Sequence, residues 1–304
     1  MSSRFSVLSS QFLVCIAALV AILCAGARVS AAEAPSYDPE RFMAEKSPAL
    51  VTIKFNLRSS AGEDNEQSET EITGVVIDPQ GLVLCSNVQL TGLAAAFSGV
   101  GFQGSAVPTN IRVLVGEDTQ GLKAKLLARD TELDLAWIRL TEKPPAPLAS
   151  IDLAKAAKPR IGQRVVSLRR MGKYFDRVPV IREVQVSART RKPRELYILG
   201  GSINTDFGLP VFTTSGEVIG IMILPISDEN EEELRGNPFA MLGGISGILD
   251  MFGGVVLPAD EVLRATRRAQ ESPESESAAD APRATTRPAV EDVDEESQEE
   301  TDGN

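Results

Sequence analysis

Three short stretches hold the side chains that could do chemistry. The first is Cys85-Ser86-Asn87-Val88. The second is Asp134, inside Glu132-Leu133-Asp134-Leu135-Ala136-Trp137-Ile138. The third is the tight loop Thr205-Asp206-Phe207-Gly208-Leu209-Pro210. A hydroxyl, a carboxylate and a glycine-bearing loop are parts of an acyl-transfer site, where an activated nucleophile attacks a carbonyl. The base is missing, because the 304 residues include no histidine. Imidazole alone titrates in the range that lets one group take and return a proton near neutral pH, so no Ser-His-Asp relay can be drawn from this chain. A serine paired with a lysine works without histidine. Ser86 and Ser202 are the candidates for such a pair, although the sequence sets no lysine beside either.

The flanking pattern is that of strands. Ser47 to Leu57 alternates apolar and polar residues from Val51 onward, as a half-buried strand does. Asp78-Pro79-Gln80-Gly81 is a turn between the runs Ile72–Ile77 and Leu82–Leu84. Ser215-Gly216 turns the chain from the Phe207 loop into Val218-Ile219-Gly220-Ile221. Residues 178–189 and 195–199 supply further strands, and residues 92–110 read as a surface loop.

These motifs together resemble trypsin-like serine proteases, in particular the HtrA (Do-like) branch. Thr205 to Pro210 stands where that family has G-N-S-G-G-P. The match puts Phe207 at the nucleophilic serine, keeps Gly208, and replaces two glycines by Thr205 and Leu209. The segment Thr73-Gly74-Val75 to Val88 stands where the family has G-S-G-x-I-I-x-x-x-G-Y-I-L-T-N-N-H, which puts Val88 at the histidine. Asp130 to Ile138 resembles D-x-x-x-D-L-A-V-L, so Asp134 is the one retained member of the triad. Ile161 to Leu168 resembles the start of the second barrel, but Arg169-Arg170-Met171 follows where a glycine-containing loop is expected. Gly254 to Leu263 resembles the family's closing strand and helix, with an acidic tail in place of a PDZ module.

The resemblance implies an all-β fold of two packed six-stranded antiparallel β-barrels with a C-terminal helix. It covers about 47–268, with barrel one near 47–142 and barrel two near 160–268. It implies a degenerate triad at Val88, Asp134 and Phe207, and a former oxyanion loop at Thr205, Asp206, Phe207 and Gly208. Asp134, with no imidazole to orient, is expected to accept backbone N–H bonds and hold its turn.

The ends of the chain differ from its middle. Residues 12–27 form an apolar run behind Arg4, with small residues after it, which is the layout of a signal peptide over 1–32. The run is short for a membrane span, and an uncleaved anchor is the alternative. Cys15 and Cys24 leave with the signal, so Cys85 stands alone as a buried thiol and no internal disulfide is expected. Residues 33–46 read as a linker. From Glu271 onward the chain has twelve acidic and two basic residues, a net of −10 against −11 for the whole, leaving −1 for the rest. The region 269–304 has no aromatics and is expected to be disordered.

The nearly neutral body has no basic stripe for nucleic acid. No metal or cofactor is expected, since histidine is absent, one cysteine remains and no glycine loop cradles phosphate. The expectation is an exported, periplasmic or extracellular, inactive protease homologue. It would bind a peptide or protein in the inter-barrel cleft, or at the apolar loop 239–252, as scaffold or regulator, and meet a membrane only through an uncleaved N-terminal segment. An envelope assembly protein using 239–252 and a histidine-free serine peptidase are the alternatives.

Overall fold

The computed structural model describes residues 37–58, 67–91, 107–201, 206–224 and 254–271. Strand β1 (Leu50–Arg58) shows why the first half folds as it does. Val51, Ile53 and Phe55 alternate with polar neighbours and point into one lumen, where they are buried with Val83, Cys85 and Ile138. β1 pairs along its whole length with β2 (Gln67–Asp78), from Leu50↔Val75 to Arg58↔Gln67. Then follow β3 (Leu82–Ser86), β4 (Val107–Leu114), β5 (Leu122–Asp130) and β6 (Leu135–Leu140). The ring order is β1-β2-β3-β6-β5-β4, and every pairing is antiparallel. Closure removes the free strand edges that would otherwise template aggregation. β4 starts at Val107, so residues 107–110, expected in a loop, are strand that pairs with β1 through Thr109↔Asn56.

The second half repeats the plan with β7 (Arg164–Arg170), β8 (Pro179–Arg189), β9 (Tyr197–Leu199), β10 (Pro210–Thr213), β11 (Val218–Ile223) and β12 (Gly254–Pro258). The ring closes as β10-β11-β12-β9-β8-β7, again antiparallel. Its lumen is filled by Val165, Val186, Tyr197, Val211, Met222 and Val256. Strand residues facing the other way build a third core between the barrels, where Leu84, Leu135 and Trp137 meet Val166, Leu168 and Ile221. The architecture is therefore the two six-stranded barrels and C-terminal helix that the resemblance implies.

Helices brace this pair. Helix α1 (Pro39–Lys46) lies in the stretch 33–46 read as a linker. Asp38 caps it, its carboxylate accepting from Glu40 N at 3.0 Å and Arg41 N at 3.3 Å, with Pro39 at the first turn. Eight residues are too few to hold a helix alone. The buried Phe42 ring holds it, edge-on to Phe212 at 5.7 Å. Helix α2 (Asn87–Thr91) is one turn continuing β3. Helix α3 (Ala259–Glu271) leaves barrel two and returns to barrel one, where Trp137 Nε1 donates to Thr266 Oγ1 at 3.0 Å. Among the described residues no helix is long and apolar enough to cross a membrane. The apolar run 12–27 and the region 272–304 lie outside the described residues; residues 269–271, read with the tail 269–304, are the last three residues of α3, and Ala269 is buried in the core between the barrels.

Candidate functional site

Asp134 ends the turn before β6 with φ at +52°, a left-handed conformation that aspartate tolerates better than most residues. Its carboxylate is fully buried and accepts from three donors. The Ser86 hydroxyl reaches both oxygens, at 2.9 and 3.0 Å. Val88 N donates to Oδ1 at 2.8 Å, and Leu224 N, from the end of β11, donates to Oδ2 at 3.0 Å. The Asn87 N–H adds a bond to the Asp134 carbonyl at 3.3 Å. Burial, the dominant influence, raises the Asp134 pKa from 3.8 to about 6, against the donors at Val88, Leu224 and Ser86 that favour the anion. Val88 follows on α2, 3% exposed. Two of the three matched positions are thus in direct contact, and the contact is a backbone bond rather than a proton relay.

The third position lies in the turn 206–209. Leu209 N donates to the Asp206 carbonyl at 3.2 Å, and Gly208 N donates to Met222 O at 2.7 Å. Gly208 has φ at +78°. A Cβ placed on it would meet Ser86 N at 2.1 Å and the Cys85 carbonyl carbon at 2.6 Å. Glycine is required here twice over, for its conformation and for the approach of the loop to β3. Phe207, beside it, is half-buried and packs against the lumen of barrel two. Its carbon ring has no nucleophilic atom.

Asp206 is buried in its own setting. Ser167 Oγ donates to its Oδ2 at 3.0 Å, Arg182 NH1 lies 3.6 Å from the same oxygen, and Arg169 Nε lies 3.5 Å from Oδ1. The Arg169 Nε–H is buried and makes no hydrogen bond. Asp206 therefore fastens the turn to β7 and β8. Thr205 and Ser202 lie outside the described residues, as does the loop 239–252. Ser86, the other candidate serine, is fully buried, with its hydroxyl directed at Asp134 while accepting from Gln89 N at 3.2 Å.

Next to these positions a cleft of about 220 Å³ opens between the barrels, lined by Glu71, Thr73, Gln89, Arg169, Arg170 and Leu209. Gln89 directly follows Val88, and Leu209 follows Gly208. Arg170 is half-buried. Its Nε donates to Leu50 O at 2.9 Å, NH1 to Arg177 O at 3.1 Å and NH2 to Ser47 O at 3.3 Å. Burial lowers its pKa. Arg177 forms a two-pronged pair with Glu71 at 3.0 and 2.6 Å, joining the β7–β8 turn to barrel one. That turn carries Tyr174, 92% exposed, edge-on to Phe175 at 5.0 Å. These lining residues were not singled out as a site from sequence. The available signal was the arginine pair standing where a glycine loop was expected.

Cys85 is a buried thiol with Sγ 3.8 Å from Ala136 O, and burial pushes its pKa up strongly. Such a thiol is inert as a nucleophile. Among the described residues no cluster of acidic or cysteine side chains is arranged to hold a metal ion.

Residues 72–221 match the family model of the trypsin-like peptidase domain. That stretch holds Val88, Asp134 and Phe207, and the two barrels are those of the chymotrypsin/trypsin-like fold. Among solved structures the chain is similar to Deg5, at 18% identity over 74% of this chain and 90% of that one, with a TM-score of 0.49. It is also similar to the Rv3671c protease from M. tuberculosis in its active form, at 20% identity over 77% and 88%, with the same TM-score of 0.49. A comparison with curated proteins finds no match.

Proposed function

We propose that the chain is a catalytically inactive homologue of the trypsin-like peptidases, of the HtrA-like kind, that works by holding a peptide or protein between its barrels. The observation that carries this reading is the state of Asp134. Ser86, Val88 and Leu224 take up both of its carboxylate oxygens, while the positions matched to the base and the nucleophile are Val88 and Phe207. With no imidazole in the chain to orient, this carboxylate is left to tie chain segments together. The reading of Ser86 as a lysine-activated nucleophile has little support, because its hydroxyl is buried and bonded to a carboxylate. Export rests on the signal-like run 12–27.

What remains for the cleft is recognition. Two-barrel peptidase folds hold extended peptides by strand addition, and the cleft beside Gln89 and Leu209 is open in the described structure. The test is incubation of the purified chain with an unbiased peptide mixture, read by mass spectrometry. No new termini above a buffer control are expected, together with selective retention of some peptides. Cleavage that persists through repurification would overturn the proposal.

A further inference from the structure

The cleft has an imbalance of charge that its own fold does not use. Four arginines stand in or behind its walls: Arg169, Arg170, Arg177 and Arg182. Among the described residues, Glu71 and Asp206 are the carboxylates paired with three of them. Glu71 is taken by Arg177, and Asp206 is shared by Arg169 and Arg182. Among the described residues Arg170 is neutralised by no carboxylate and is held by three backbone carbonyls. Lys173 and Asp176, on the exposed β7–β8 turn, do not line the cleft. Among the described residues the wall therefore holds one guanidinium, that of Arg170, that no carboxylate answers, beside about 220 Å³ of open space.

Half-burying a cation without a counter-charge costs free energy that a salt-bridged arrangement avoids. Guanidinium has five N–H donors in a fixed fork suited to carboxylates. Arg170 spends three of them on carbonyls. Arg169 is only 27% exposed, with its Nε–H left without a hydrogen bond.

We infer that this cleft is a carboxylate subsite, in which Arg169 and Arg170 receive an acidic group of a bound peptide segment. The inference rests on the peptide-binding reading above and narrows it to acidic segments. Thr73 and Gln89 add polar side chains to the same wall. Two sources share this chemistry. One is a separate acidic partner. The other is the chain's own acidic stretch after Glu271, net −10 with its first residue, which in cis would sit at a high effective concentration.

The experiment uses the full chain and two labelled synthetic peptides. One has the sequence of residues 291–301; the other has Asn and Gln at every acidic position. Binding is read by fluorescence anisotropy at low and moderate salt. The acidic peptide is expected to bind at least about tenfold more tightly than the amide peptide, with the preference weakened by salt. R169Q removes the preference, and R160Q, an exposed arginine outside the cleft, leaves it intact. R170Q is expected to behave like R169Q. Should R170Q fail to fold, R169Q decides alone, with its fold confirmed by circular dichroism and its thermal midpoint, because the variant also loses the ion pair of Arg169 with Asp206.

A full chain with Asn and Gln at the acidic positions of 271–304 distinguishes the sources. A rise in peptide affinity assigns the subsite to the tail, and an unchanged affinity assigns it to a partner; both support the carboxylate subsite. Equal binding of the two peptides, or a preference that survives R169Q, overturns it. Equal binding would leave the cleft a peptide site and cost only its acidic specificity. Binding of neither peptide by the neutralised-tail chain also overturns the inference, while the cleavage assay judges the inactive-peptidase reading separately.

Discussion

Leu224 N–H donates to Asp134 Oδ2 at 3.0 Å, so the end of β11 in barrel two hangs on a turn of barrel one 90 residues earlier. The same carboxylate holds the start of α2 through Val88 and the end of β3 through Ser86. One buried anion thus joins three segments across the inter-barrel boundary. A residue type that resembles a catalytic group is here a bracket, and the first consequence concerns pH.

Burial holds the folded-state pKa of Asp134 at about 6, above its ordinary 3.8. The native state keeps a proton that the unfolded chain has already lost, so this group's favourable contribution is complete below about pH 3.8 and is lost as pH rises through about 6. The span corresponds to roughly 3 kcal/mol. Asp134→Asn removes the titration but turns an amide NH2 toward backbone donors, costing about 1–3 kcal/mol. The variant is therefore expected to be less stable than the parent at pH 4, with the gap closing by pH 7.5. Denaturant midpoints of both proteins across that range measure it. A gap that widens would show the carboxylate to be ionised throughout.

Placing histidine and serine at the two positions matched to the family's base and nucleophile is not expected to give activity. In Val88→His with Phe207→Ser, the new imidazole must compete with Ser86, whose hydroxyl already bonds both oxygens of Asp134. Leu209 also remains where a glycine shapes the oxyanion loop. A sensitive fluorogenic peptide assay is expected to read background for the double variant. Histidine-dependent turnover would show the site to be better preserved than its hydrogen bonding indicates.

Gly208→Ala is expected to be among the most damaging small substitutions in the chain. The new methyl would meet backbone atoms of Cys85 and Ser86, which cannot swing aside as a flexible side chain can, at a residue with φ of +78°. A loss of at least about 3 kcal/mol, or failure to fold, is expected. Gly116→Ala is the control. It has a similar φ of +61° but nothing within 4 Å of the added Cβ, so only the conformational cost of about 1–2 kcal/mol applies. Thermal and denaturant unfolding of the two variants separate the contributions.

Glu71→Gln removes the partner of Arg177 while both side chains stay largely buried. The cost is expected to be about 1–3 kcal/mol, between the values for exposed and fully buried pairs. The Arg177 anchor of the β7–β8 turn is lost with it. Chymotrypsin should then cut at Tyr174 or Phe175, already exposed, several-fold faster than in the parent. Unchanged cutting would mean that Arg170 holds the turn by itself through the Arg177 carbonyl.

The sequence alone determined that no histidine relay exists, that Phe207 and Val88 cannot do the chemistry their neighbours resemble, and that period-two runs build two all-β halves. Such properties belong to residue type and local alternation, which side-chain chemistry and strand geometry fix without reference to distant chain. It misplaced the start of β4 because Val107 to Asn110 has loop-like composition and becomes strand only by pairing with β1. It read a linker where α1 forms, since a short helix depends on the Phe42–Phe212 contact, made 170 residues away. Asp134 was legible as a hydrogen-bond acceptor, but only the tertiary structure decided that one of its donors is Leu224. Arg170 was legible as a residue, and its lack of a carboxylate partner among the described residues was not. Whether a cation is paired depends on which carboxylates the closed barrels bring near it, and Glu71 and Asp206 reach that cleft from opposite barrels.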